Sequence, residues 1–342
     1  MRGRGFPRPR NGAKGEKPVN FDALFGDLAQ HTVDGLSKGA IYALVALGYT
    51  LVYGVLRLIN FAHSEIFMVG TFAILGTWSL LGVADNPPIG MAIVYLLIGL
   101  VVGALASGAT ALTVERVAYR RLRRMNAPPL IFLITAIGLS LVLVEIFALW
   151  MAGFFSGRGF TENRLVIGIP PLLKQETVLS VAGADITNVQ IIMVLSALLM
   201  LYGLDQFINR TRYGRGVRAV AQSPDTAALM GVHQDRVIML VFVLGGLMAG
   251  AAALLWNMRY GITKFDIGFV VGLKAFTAAV LGGIGNLRGA LLGGLLLGVI
   301  EVYAATLTRS TWEDVAAFVV LVVVLIFRPT GLLGESLGKA RA

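Results

Sequence analysis

The stretch Gly39-Ala40-Ile41-Tyr42-Ala43-Leu44-Val45-Ala46-Leu47-Gly48-Tyr49-Thr50-Leu51-Val52 carries no charge. Gly54-Val55-Leu56-Arg57-Leu58-Ile59-Asn60-Phe61-Ala62-His63-Ser64-Glu65 follows it and breaks the pattern with Arg57, Asn60, His63 and Glu65. The apolar run, taken as residues 32–53, is long enough to cross a bilayer core, which takes roughly 20 residues of helix. Similar runs recur at about 60–81, 90–114, 129–151, 189–208, 236–258, 267–284, 290–307 and 314–327. Short polar joints such as Asp85-Asn86-Pro87-Pro88 separate them, and none of the joints is long and polar enough to be a soluble catalytic domain. Composition agrees: 56% of the residues are hydrophobic and 14% are charged, against about a quarter charged in soluble domains. The chain therefore reads as all-α, a polytopic integral membrane helical bundle of eight or nine transmembrane helices. Residues 1–30 are a basic, disordered tail and lead-in, 31–335 the membrane domain, and 336–342 a C-terminal tail.

Charge between the runs orients the bundle. One joint holds Glu115 with Arg116, Arg120, Arg121, Arg123 and Arg124, and another holds Arg210, Arg212, Arg215, Arg218 and Arg236. Both are expected in the cytoplasm by the positive-inside rule. The joint at 152–188 balances its charges and is expected outside; the C-terminus after Arg328-Pro329 falls inside. Nine crossings place the N-terminus outside although Arg2, Arg4, Arg8, Arg10, Lys14 and Lys17 precede it. Either most of these lie beyond the reach of the rule, or an early segment is re-entrant. The tail has no apolar core of a signal peptide, and its basic residues suit anionic membrane lipid rather than nucleic acid.

There is no cysteine, which excludes a disulfide framework and thiolate metal sites. The three histidines, His31, His63 and His233, are too scattered for a metal site. No G-x-x-x-x-G-K-[ST] occurs, and Gly283-Ile284-Gly285 does not continue into a dinucleotide loop because Arg288 stands where that pattern needs glycine.

Three segments carry function. Ionisable groups at membrane depth cost about 2.5–3.5 kcal/mol each on insertion scales. Asn60, His63 and Glu65 therefore line a path or a broken helix, or are wet groups in a cytoplasmic turn. In 210–236, Ser223 is an N-cap with Pro224 at the first helical position, Asp225 suits the dipole, and Gly231 stops the helix. Leu229 and Met230 offer apolar contacts, so this short helix either docks in a groove of a soluble partner or lies on its own bundle. Gly285, Gly289 and Gly293 recur every four residues, as do Gly294 and Gly298. Such stripes let a neighbouring backbone approach. Glu145, Lys274 and Glu301 are isolated polar positions near or inside spans, and Trp78, Trp150 and Trp256 fall where interfacial anchors sit.

Gly39-Ala40-Ile41-Tyr42-Ala43-Leu44 with Gly48-Tyr49-Thr50, Ile59-Asn60-Phe61-Ala62-His63, Glu115-Arg116-Val117-Ala118-Tyr119-Arg120, Lys274 to Gly285 and Pro329-Thr330-Gly331-Leu332-Leu333-Gly334 together resemble the permeases of branched-chain amino acid ABC importers of the LivH type. The resemblance runs from about residue 30 to about 335. It implies a transport subunit rather than an enzyme, in the inner (plasma) membrane, sharing one path with a sister permease of the LivM type. It further implies two cytoplasmic ATPase subunits, which would carry ATP and Mg, and an extracytoplasmic substrate-binding protein. This chain itself would hold no cofactor and no metal. Asp225-Thr226-Ala227 followed by Gly231 is similar to a degenerate E-A-A-x-x-x-G coupling pattern, which assigns ATPase coupling to Arg218, Asp225, Ala227 and Gly231. Urea and short-chain amide permeases share most of these motifs. A different class, an ion-coupled secondary transporter using Glu65 or Glu145, has the same composition.

Overall fold

The computed structural model describes residues 27–151, 166–181, 183–308 and 312–334. The basic tail 1–26, residues 152–165 and 182 of the predicted external joint, and residues 335–342 lie outside the described residues, as does the side chain of Trp150. The first helix, α1 (Leu28–Leu56), is apolar on all sides and is buried on all sides from Gly39 to Val52. A helix with no polar face belongs at the centre of a bundle. It ends at Arg57, which takes a left-handed conformation (φ 53°) and closes the last turn on the Tyr53 carbonyl at 2.7 Å.

Around it stand α2 (His63–Leu80), α3 (Ile89–Val114), α5 (Pro129–Ile146), α6 (Asn188–Arg210), α9 (Gln234–Tyr260), α10 (Ile267–Gly282), α11 (Leu287–Leu307) and α12 (Glu313–Phe327). A π-helical turn, Glu115–Tyr119, joins α3 to the short α4 (Arg120–Arg124). Two further short helices, α7 (Arg212–Gln222) and α8 (Pro224–Leu229), connect α6 to α9. Strands are few: β1 (Ile167–Gly168) pairs antiparallel with β4 (Ile262–Thr263), and β2 (Thr177–Val181) with β3 (Ala184–Thr187). Six helices among the described residues are long and apolar enough to cross a membrane, counting α3 through α4 as one. The helices α2, α10 and α12 are shorter or more polar.

Glycine sets the seams. α11 runs antiparallel along α1, and a Cβ at Gly39, Gly294 or Gly298 would lie less than 3.0 Å from the backbone of the facing helix. Gly289 and Gly293 face the other way, against the α10 backbone at Gly282 and Ala278. So α11 carries two stripes for two neighbours. Gly285 departs from the predicted stripe. It lies in the turn before α11 at φ 100° with nothing near its Cβ position, so it is there for its backbone conformation. A third seam, Gly246 and Gly250 of α9 against Gly103 to Gly108 of α3, is of the same kind.

The two ends of the bundle differ. Arg123 reaches Asp235 and Arg288 reaches Asp205, and the backbone of Leu332 and Leu333 bonds to Leu281 and Gly282, so both arginine-rich joints and the chain's last described residues share one basic end. At the opposite end Asp34 meets Gln190 and Arg259, and Ile169 bonds to Gly261. The start of α1 lies there, away from the two arginine-rich joints. Trp78 is a correction: it is buried inside the bundle and its indole donates to the Tyr95 carbonyl at 3.1 Å, because Gly99 leaves room for the ring. Trp256 does sit near its helix end, donating to Ile262.

Candidate transport path and docking segment

The polar break after α1 turns back into the bundle. His63 lies against Gly48 of α1 and Gly245 of α9. Gly48 is about 12 Å short of the end of α1 at 1.5 Å per residue, so α2 begins well inside the bundle and residues 57–62 bring the chain back to that depth. α10 also starts deep: Gly268 and Gly272 of its first turns pack on Ser64 and Glu65. Non-helical backbone at that depth survives only when it is enclosed by protein or lines a water-filled cavity.

The three predicted path residues come together here, all but fully buried. Asn60 Oδ1 accepts from the Tyr119 hydroxyl at 3.1 Å. His63 packs edge-on against the Tyr49 ring with centroids 4.9 Å apart. Glu65 Oε1 accepts from Ser64 Oγ at 3.2 Å and from Ser140 Oγ at 3.1 Å. Asn60 Nδ2 and Glu65 Oε2 make no hydrogen bond within the protein. Leaving a buried polar atom unsatisfied costs about 1–3 kcal/mol, so such atoms belong where packing opens or a ligand passes. Sequence reasoning missed Tyr119, Tyr49 and Ser140; each comes from another helix, and nothing in local spacing ties it to the break.

The candidate docking segment is built as the caps predict. Ser223 Oγ accepts from the Thr226 amide at 3.4 Å, Pro224 takes the first position and Asp225 the first turn of α8. Gly231 is left-handed at φ 82°, and Val232 bonds back to Ala227 at 2.9 Å. Ala227 is buried and anchors the helix, while Asp225 faces solvent. Leu229 and Met230 are 87% and 81% exposed. Arg218 behaves otherwise: its guanidinium turns back on the end of α6, donating to the Ile208 carbonyl and to Asn209 Oδ1. It braces α7 on the bundle.

At the opposite end, two of the isolated polar positions turn out to be partners. Lys274 Nζ lies 2.7 Å from Glu301 Oε1 and 2.6 Å from Asp314, and Tyr42 donates to Glu301 Oε2 at 2.8 Å. Lys38 pairs with Glu301 at 3.1 Å and with Glu313. The acidic trio Glu301, Glu313 and Asp314 has metal-ligand spacing, but the two lysine ammonium groups already occupy it.

A bundle of glycine-seamed helices, a buried break and an exposed helix at the basic end define a multi-pass membrane permease. Residues 31–325 match the family model described as the permease component of branched-chain amino acid transport systems, and the chain belongs to that family. It is 41% identical over 311 residues to the high-affinity branched-chain amino acid transport system permease protein BraD of Pseudomonas aeruginosa, covering 90% of this chain and 95% of the relative. To the corresponding permease protein LivH of Escherichia coli it is 38% identical with the same coverage. A shorter match, 33% identical over 35% of the chain, is to a fructose import permease protein of Rhizobium meliloti. No solved structure matches.

Proposed function

We propose that this chain is the permease subunit of an ATP-driven importer and forms half of the translocation path for branched-chain amino acids. Membership of the permease family across residues 31–325 carries the reading. The sister permease would complete the path, two cytoplasmic ATPase subunits would hold ATP and Mg, and an extracytoplasmic binding protein would deliver substrate. The basic end then faces the cytoplasm of the inner membrane together with the C-terminus, and the chain makes nine passes, two of them, α2 and α10, starting at depth. Leu229 and Met230, held out by Ala227 and Gly231 with Asp225 beside them, enter a groove of the ATPase. Closure of the ATPase pair moves α8, and the tightly seamed helices follow as rigid bodies. Asn60, His63 and Glu65 lie where the path opens.

Reconstitution tests this. Vesicles holding both permeases, the ATPases and the binding protein are expected to take up leucine, isoleucine or valine only with ATP. Uptake by this chain alone on an ion gradient would point to a secondary transporter. A calorimetric screen of the binding protein that found urea or amides and no branched-chain amino acid would move the substrate and leave the mechanism standing.

A further inference from the structure

The motif Glu115-Arg116-Val117-Ala118-Tyr119-Arg120 is where α3 loses its α-helical register. Glu115–Tyr119 is π-helical, with α-helix on both sides. A π-turn holds one extra residue per turn, weakens the local hydrogen-bond ladder and is frequent at functional sites. Here its two ends point to the two regions described above.

Glu115, fully buried, accepts from Arg120 Nη2 at 3.1 Å and from Arg123 Nη2 at 2.9 Å. The same Arg123 nitrogen reaches Asp235 Oδ1 at 2.8 Å, and Arg124 lies 3.5 Å from Asp235 Oδ2. Asp235 is in the first turn of α9, next to Gln234, whose amide donates to the Pro224 carbonyl of α8 at 2.6 Å. At the other end of the π-turn, the Tyr119 ring is wedged between Phe132 and Phe242 (centroids 5.7 and 5.1 Å), and its hydroxyl holds Asn60. Polar contacts joined by two short stretches of backbone, Gln234-Asp235 and the π-turn itself, thus connect α8 to the break.

We propose that the π-turn is the transmission element of the transporter, with Tyr119 a positioning residue that sets the conformation of Asn60 and residues 57–62 according to the state of α8. This rests on the docking reading. A pull on α8 moves Gln234 and Asp235, and Asp235 moves Arg123. Arg123 then draws on Glu115 at the one place where α3 can shift register at low cost. Tyr119 rotates with the turn and releases or retakes Asn60. Coupling of this kind needs an element with two arrangements, and a π-turn that can relax to α is one.

The test uses the complete reconstituted complex and reads three quantities: retention of the ATPase subunits on the permease, basal ATP hydrolysis, and amino acid transported per ATP. Tyr119→Phe keeps the ring and removes only the hydroxyl. It is expected to leave ATPase retention and basal hydrolysis intact and to lower transport per ATP roughly 3- to 10-fold, the factor an ordinary neutral hydrogen bond makes in an equilibrium. Asp235→Asn, at an accessible site, should act in the same direction. A double-mutant cycle of Asn60→Ala with Tyr119→Phe should be strongly non-additive. Wild-type transport per ATP in Tyr119→Phe and Asp235→Asn would overturn the proposal and leave docking untouched. If Tyr119→Phe does not assemble, Asp235→Asn alone decides. Loss of ATPase retention in Leu229→Ser/Met230→Ser, or its absence, judges the docking reading separately.

Discussion

The seam between α1 and α11 and the docking segment of α7 and α8 both depend on glycine, for opposite reasons. In the seam, Gly39, Gly294 and Gly298 are absent side chains: the facing backbone fills the space where a Cβ would be. In the docking segment, Gly231 has open space around it and is needed for its left-handed backbone. One region is interior and closed; the other holds two large apolar side chains out in solvent. In the proposed mechanism the seam makes a block that moves as a unit, and the segment is the handle by which it is moved. A repeat of glycines and a lone glycine after a cap are therefore different statements about a membrane protein, one about a neighbour and one about a turn.

Five variants can break or sharpen that contrast. Gly294→Leu forces a side chain into the α1 backbone and should abolish folded permease, seen as loss of a monodisperse peak in detergent; overpacking alone costs about 1–3 kcal/mol, and backbone cannot yield as a side chain does. Normal assembly would show that the seam can open. Lys274→Met leaves Glu301 buried with only Lys38 and Tyr42 to balance it. The expected loss is about 3 kcal/mol in thermal or denaturant unfolding, and Lys274→Met with Glu301→Leu should recover part of it. Gly231→Ala strains one left-handed residue and should cost about 1 kcal/mol, the penalty for a Cβ there. Gly289→Leu, by contrast, should behave like Gly294→Leu; equality with Gly231→Ala would erase the distinction between the two regions. Smallest of all, Leu229→Ser/Met230→Ser should change the stability of the isolated permease by less than about 0.5 kcal/mol, while weakening ATPase retention by about 1–2 kcal/mol if these are anchoring side chains.

Much of the fold was legible because each helix is an apolar run between polar joints. The expected span at 90–114 became Ile89–Val114, and that at 314–327 became Glu313–Phe327. The arginine joints at 115–124 and 210–218 also predicted a shared end correctly. Contacts between helices were another matter. Lys274 and Glu301 read as two separate oddities because nothing in one strand of sequence says which helix a charge will face. Trp78 read as an interfacial anchor because its position near a span end is visible and the gap left by Gly99 is not. Gly285 fitted the four-residue spacing by number, yet the helix starts at Leu287, since Asn286 caps it by accepting from the Arg288 and Gly289 amides. At the break, the ionisable residues themselves announced something unusual, but the depth of the turn and the partners Tyr119 and Ser140 come from tertiary packing.

The charge cluster at the far end bears on how the chain is made. Lys274 is buried in a helix of only 16 residues, and a lone lysine at the centre of a span costs about 2.5–3.5 kcal/mol to insert. Its counter-charge, Glu301, arrives on the next helix to be synthesised, and Asp314 on the one after. α10 is thus a poor passenger by itself, and its lysine is neutralised only when α11 and α12 stand beside it. The ion pairs of Lys274 thus tie the last three helices to one another, and Lys38 ties the same acidic groups to α1.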